Sequence, residues 1–256
     1  MGTAGVARRE RLTVVAIQLG LAAVVVAIWV YQTRVGRVSP ILLPRPERVL
    51  QEFPELLRDP VFWNSLRVTA LELVGAFALA AISGLLVGVV VGRWAPAARV
   101  ATPLLAWAQT VPIILFYPIC ILLFGIGPMS KVAFGGFYGF FPIAANTVLA
   151  LSTVPARYLS AAAALGASRR QTVTRVLIPA ARPLILSGVR LGAALCLIGV
   201  LAGELLGSTD GLGYRIASSS GSFRTPELYA YITVALVLVA IFNLAITRAD
   251  DRNAQA

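Results

Sequence analysis

An all-α polytopic membrane protein with six transmembrane helices is the fold this sequence predicts, and three observations carry the prediction. The 256 residues are 58% hydrophobic and only 13% charged. The mean hydropathy of +0.83 lies far from that of soluble domains. The apolar residues also come in runs of about twenty, the length needed to cross about 30 Å of hydrocarbon. The polar stretches between the runs are too short for a separate soluble domain.

The first run, residues 12–30, follows "ARRER". A charged start before an apolar run can mark a signal peptide, but this run exceeds the usual apolar region and no small-x-small cleavage site follows. It reads as a retained span. The remaining spans are expected at 68–91, 100–124, 132–151, 183–206 and 228–247. Arg8, Arg9 and Arg11 precede span one, and Arg93 and Arg99 lie between spans two and three. Arg157, Arg169, Arg170, Arg175 and Arg182 lie between spans four and five. Six spans put all three groups on one side, which the positive-inside rule assigns to the cytoplasm together with both termini. Segment 31–67 dissents with six arginines on the other side, but it is long and also holds Glu47, Glu52, Glu55 and Asp59. Trp29, Tyr31, Trp63, Tyr214 and Tyr229 all fall near the outer interface, as an aromatic belt does. Within 31–67, Val49, Leu50, Phe53, Leu56 and Leu57 recur at helical spacing. They predict an amphipathic helix that either lies in the interface or packs over the bundle.

Span two places Ala76, Ala80, Gly84, Gly88 and Gly92 on one helix face, and span five repeats the pattern at Gly188/Gly192 and Gly199/Gly203/Gly207. Such stripes let helix backbones approach closely and speak for packing. Span three carries Pro103, Pro112 and Pro118, and span four carries Pro142 followed by Asn146. Prolines free carbonyls that lipid cannot satisfy, so broken spans are buried in protein or line a wet cavity. Gln109, Pro112, Pro118 and Asn146 are therefore candidate pathway residues, with a structural kink as the alternative. Glu204, deep in span five, must face protein or water. It either lines or gates a pathway, or caps locally near the outer end. Arg190 reads as a snorkelling side chain.

Several chemistries drop out. Histidine is absent, which removes the commonest general base and metal ligand. Cys120 and Cys196 sit within spans and read as small apolar residues. The only lysine, Lys131, belongs to no GxxxxGK phosphate loop, so the chain cannot itself be a P-loop ATPase. The net charge of +11 comes from scattered arginines, not from a basic stripe with interleaved aromatics, so nucleic acid is not an expected partner. No paired intramembrane carboxylates are legible either, which argues against an intramembrane enzyme.

Between spans four and five, "RYLSAAAAL" is a strong helix former, Gly166 permits a turn, and Ser168 can cap a second helix running through "RRQTVTRVLI" to Pro179. Two short helices meeting at a glycine, with one side lined by alanine, form a knuckle on which another protein can seat. The stretch resembles the EAA-x3-G-x9-I-x-LP loop of binding-protein-dependent ABC importer permeases. Ala161, Ala162, Gly166 and Pro179 match, Val176 and Ile178 are conservative replacements, and Ser160 stands where the family has glutamate. "LPRPERVL", "FGIGPMSK", "FFPIAANT" and "GELLGSTDGLGY" extend the resemblance over roughly residues 40–245, in the manner of the nitrate/sulfonate/taurine subclass.

The resemblance implies a type I ABC importer permease in a bacterial inner membrane. Its coupling loop, 156–182, would present Leu159, Ser160, Ala161, Ala162, Leu165, Gly166, Ala167, Ser168, Arg169 and Pro179 to a separate ATPase subunit. ATP and Mg would bind that subunit and no cofactor this chain. A second permease chain, as a homodimer, and an extracytoplasmic binding protein complete the expected partners. Gly211, Gly213 and Tyr214, from position alone, are candidates for the binding protein's landing surface. The chain divides into 1–67 (tail, first span and interfacial segment), 68–247 (five-helix core with the coupling loop) and 248–256 (a short tail). The passenger is expected to be a small oxyanion such as a sulfonate, taurine or nitrate. Similar permeases serve pyrimidine precursors of thiamine. The competing class is a secondary transporter or channel without a partner ATPase.

Overall fold

Helix formation takes up nearly all of residues 3–36 and 38–254, the part that the computed structural model describes. In chain order the helices are α1 (Thr3–Arg34), α2 (Pro46–Arg58), α3 (Pro60–Gly92), α4 (Ala95–Ala108), a 3-10 turn (Ile113–Phe116), α5 (Tyr117–Phe124), α6 (Pro128–Ser152) and α7 (Ala156–Ala164). Then follow α8 (Arg169–Gln171), a π-helical turn (Thr172–Leu177), α9 (Ile178–Leu206), α10 (Leu212–Gly221) and α11 (Thr225–Ala254). The side chains of Arg8, Arg9 and Arg11, which contribute to the expected orientation, and Arg37 lie outside the described residues. Helix α11 continues through most of the tail expected at 248–256.

Five helices are long and apolar enough to cross a membrane, and the α4/α5 pair makes a sixth crossing if its bent halves count as one. α3, α6 and α9 form the centre, because their small residues leave room for nothing else. Ala76, Ala80, Gly84, Gly88 and Gly92 are all buried. A Cβ added at Gly88 would sit 2.4 Å from Thr147 Cβ, and one at Gly84 2.9 Å from Ile143 Cβ. From α9, Gly192 abuts Ile143 and the Gly139 carbonyl, while Gly199 meets the Gly135 backbone. Three helices thus share one seam of small residues, where close backbone contact replaces a hydrophobic driving force that lipid does not supply.

Two expectations about segmentation change. The third span, expected as one run over 100–124, breaks between Ala108 and Ile113, and its halves meet at 85°. Pro112 explains the stop: it cannot continue the ladder, and it drives Val111 towards extended backbone. The freed carbonyls at the end of α4 are taken by local side chains, as Gln109 Nε2 donates to Leu105 O and Thr110 Oγ1 to Trp107 O. The second change concerns Pro179. The loop is expected to close at Pro179, yet this residue lies inside continuous helix, at the junction of the π-helical turn and α9, where the irregular turn accommodates its missing N–H. Helix therefore runs without interruption from Arg169 to Leu206.

The connections fall on two faces. One carries 153–177, here called the knuckle face. The other carries α2 and α10. On it, α2 packs Val49 and Leu56 against Ala230, Tyr231 and Ala235 of α11, while Leu50 and Leu57 of the same helix remain exposed. The segment therefore both packs over the bundle and presents an apolar edge outward.

Candidate functional sites

The knuckle is built from sequence-local chemistry. α7 ends in a reverse turn in which Ala167 N–H donates to Ala162 O and Gly166 N–H to Ala163 O, both at 3.0 Å. This crossed pair requires a left-handed residue between, and Gly166 has φ +72°. Ser168 then opens the next helix with a reciprocal cap. Gln171 N–H donates to Ser168 Oγ at 3.3 Å, and Ser168 N–H donates to Gln171 Oε1 at 2.8 Å. Of the residues expected here, Ala162 is buried and Ala167 half-buried, whereas Leu159, Ser160, Ala161, Leu165, Gly166, Ser168, Arg169 and Pro179 are exposed. Leu165, at the tip, is 87% exposed. Nothing lies within 4 Å of a Cβ added at Gly166. A rigid turn thus holds a bare leucine and flat alanine surface away from the bundle.

At the opposite face, the loop after α9 is fastened to the core by one buried carboxylate. Glu204 is fully buried. It accepts from Thr69 Oγ1 at 2.6 Å and from the Gly213 N–H at 2.7 Å. Thr69 in turn accepts from the Leu212 N–H at 2.8 Å. Asp210 accepts from Ser65 Oγ at 2.6 Å and from the Asn64 amide, and Tyr117 Oη donates to Gly207 O at 3.0 Å. The loop is thereby pinned to α3, α5 and α9 together. Gly211, at φ +103°, and Gly213 are required by closeness: an added Cβ would come 2.2 Å and 2.6 Å from Glu204 atoms.

Three placements follow from this geometry. Glu204 is enclosed and caps the loop, the second of its two expected roles. Gly211 and Gly213 lie beneath the surface, and of the three candidate landing residues only Tyr214 is partly exposed. Buried intramembrane carboxylates do pair: Glu72 of α3 lies beside Glu204, with Lys131 Nζ 3.9 Å from Glu72 Oε1 and all three side chains buried. Sequence reading missed Glu72 and Lys131, although a lone lysine and a lone acid near span ends were the available signal.

The pathway candidates do not converge. Gln109, Pro112 and Pro118 are exposed along the broken α4/α5 pair. Asn146 donates to Pro142 O at 2.8 Å and packs on Gly188, about 22 Å along α6 from Lys131. Among the described residues no group of three His, Cys, Asp or Glu is arranged to hold a metal.

A bundle of membrane-length helices with a rigid, exposed knuckle on one face and a pinned loop on the other is an architecture suited to a membrane transport subunit. Residues 62–255 match the family described as "Binding-protein-dependent transport system inner membrane component", and the chain belongs to it. It is 28% identical to the taurine transport system permease protein TauC of Escherichia coli K12, over 93% of this chain and 88% of that one. It is 31% identical to the putative aliphatic sulfonates transport permease protein SsuC of Bacillus subtilis 168 (85% and 79%) and 32% to the riboflavin transport system permease protein RibX of Chloroflexus aurantiacus (80% and 76%). Among solved structures, a chain of the MetNI methionine ABC transporter in an inward-facing conformation superposes with a TM-score of 0.59. It covers 79% of this chain and 97% of that one at 21% identity, a likeness of fold. The chain is thus a permease component of an ABC-type importer.

Proposed function

We propose that this chain forms the translocation pathway for a small oxyanion of the sulfonate, taurine or nitrate type, delivered by an extracytoplasmic binding protein and driven by a separate ATPase. The knuckle carries the reading. An exposed leucine on a glycine-locked turn, joined by unbroken helix to a core span, can pass a push from a partner's cleft into the bundle. The ATPase would hold ATP and Mg, and the knuckle residues from Leu159 to Arg169 would seat in it, on the cytoplasmic side. The α10 face would then receive the binding protein over the loop that Glu204 pins. There Tyr214 supplies surface, while Gly211 and Gly213 shape the turn. Gln109, Pro112, Pro118 and Asn146 are proposed to border the path between two copies of the chain. The relatives are named for taurine, aliphatic sulfonates and riboflavin, so the passenger class rests on the first two of them.

The test is co-expression with a cognate ABC ATPase subunit, comparing wild type with Gly166→Arg for capture and for ATP hydrolysis. We expect the wild type to capture the ATPase and the variant to lose capture or coupling. The substitution meets no clash in this chain, only a φ unfavourable to arginine, so the fold should survive it. An ATPase that associates equally with both proteins would refute the knuckle's role.

A further inference from the structure

A cavity of about 380 Å³ opens on the α10 face where α1 ends, lined by Arg34, Arg45, Glu47, Arg48 and Gln51. Its charge is unbalanced. Glu47 is already engaged, since Arg34 Nη2 donates to its Oε1 at 2.8 Å. That hydrogen bond, above other causes, holds the Glu47 carboxyl below its usual range, so it stays ionised. Arg45 and Arg48 make no ion pair among the described residues. Arg45 is the extended residue that precedes α2 and Arg48 lies in the helix's first turn, and both line the cavity. Two guanidinium charges therefore remain for an anion, and guanidinium is the group best matched to phosphate oxygens.

The surroundings fix the depth of this cavity and the kind of molecule it meets. Trp29, on the same helix as Arg34, donates its indole N–H to Pro44 O at 2.9 Å and stacks on Tyr229 at 5.9 Å. Such rings settle at the level of lipid headgroups. Val35 and Leu50, next in sequence to the lining residues Arg34 and Gln51, and Ile41 and Leu42 of the intervening loop are each more than half accessible. A soluble anion would have no use for this apolar rim, whereas acyl chains would. The position also lies away from the α3/α6/α9 centre. It adjoins α1, only 6% of whose spanning window is buried.

We infer that this cavity is a binding site for the phosphodiester headgroup of an anionic membrane lipid, with Arg45 and Arg48 holding the phosphate and the flanking aliphatic side chains meeting the acyl chains. The lipid would tie α1 to α2 at the rim of the bundle, where the protein supplies few contacts of its own.

The test uses the full-length chain purified in a neutral detergent, titrated with phosphatidylglycerol, with phosphatidylcholine, and with glycerol 3-phosphate as the soluble source of the same chemistry. Bound lipid is read by native mass spectrometry. Phosphatidylglycerol should bind in preference to phosphatidylcholine, glycerol 3-phosphate should not displace it, and the double variant Arg45→Gln/Arg48→Gln should weaken binding about tenfold or more. Gln51→Glu, a single exposed change that places a second carboxylate on the lining, should weaken it too. It serves if the double variant fails to fold. Equal binding by wild type and either folded variant would overturn the site. Displacement by glycerol 3-phosphate would overturn the lipid in favour of a soluble anion.

Discussion

Lys131, the chain's only lysine, is buried beside the Glu72 carboxylate, and the energetics there are lopsided. A buried pair at 3.9 Å gains little over an apolar replacement, yet removing one partner leaves an uncompensated charge. Lys131→Met should therefore destabilise the protein by about 3–5 kcal/mol, read as a fall in thermal midpoint in detergent. Adding Glu72→Gln to the same chain should restore much of the loss, because the stranded charge goes with it. A single variant that melts like wild type would show that the cluster carries no stability. Thr69→Val probes the neighbouring bonds: it leaves the Leu212 N–H without its acceptor and Glu204 with the Gly213 N–H but without its hydroxyl donor. We expect about 2–3 kcal/mol lost, checked by the same measurement. Sequence made Glu204 visible because it is the only acid in its span. Glu72 and Lys131 stayed hidden as a pair because their meeting depends on the register of α3 against α6 and α9, which no single helix encodes. The burial of Gly211 and Gly213 was hidden for the same reason: glycine marks a tight place without saying whether the place is surface or core.

At the scale of elements, what is local in sequence was legible and what depends on continuity was not. The knuckle's glycine turn and serine cap lie within ten residues of one another, and both form as their chemistry dictates. The small-residue stripes likewise become the central seam. By contrast, proline is ambiguous. Pro112 ends a helix, Pro103 sits inside α4, and Pro179 begins α9, because the outcome depends on where the preceding hydrogen bonds can go. The π-helical turn at 172–177 has no sequence signal that we can identify. It lies between the capped start at Ser168 and the core span, so the cap has mechanical consequence. Ser168→Ala removes the oxygen that accepts from Gln171 and should cost about 1 kcal/mol of local stability. Amide exchange across residues 169–172 should quicken about fivefold, with the rest of the chain unchanged. Unaltered exchange would mean that the helix start is held by packing instead of by its cap.

The whole molecule is unevenly buried, and the unevenness has a direction. Half of the spanning window of α6 is enclosed by this chain but only 6% of that of α1. The exposed surface is not confined to α1. Leu104, Trp107, Leu115 and Leu122 of the broken pair are exposed, as are Gln109, Thr110 and Pro112 at the break itself. A row of leucines can face lipid without penalty. A broken backbone cannot, since its polar groups at membrane depth must meet protein or water. A second copy set against α4 and α5 would supply both at once, covering the apolar flank and enclosing the break in a shared wet path. The expected assembly is accordingly two identical permease chains on two ATPases. Light scattering of the complex co-purified with its ATPase decides the point. A mass equal to two copies of each chain fits this arrangement, whereas one copy of this chain beside a different permease would place another sequence against α4 and α5. In that case the break must be lined by residues that this chain does not carry.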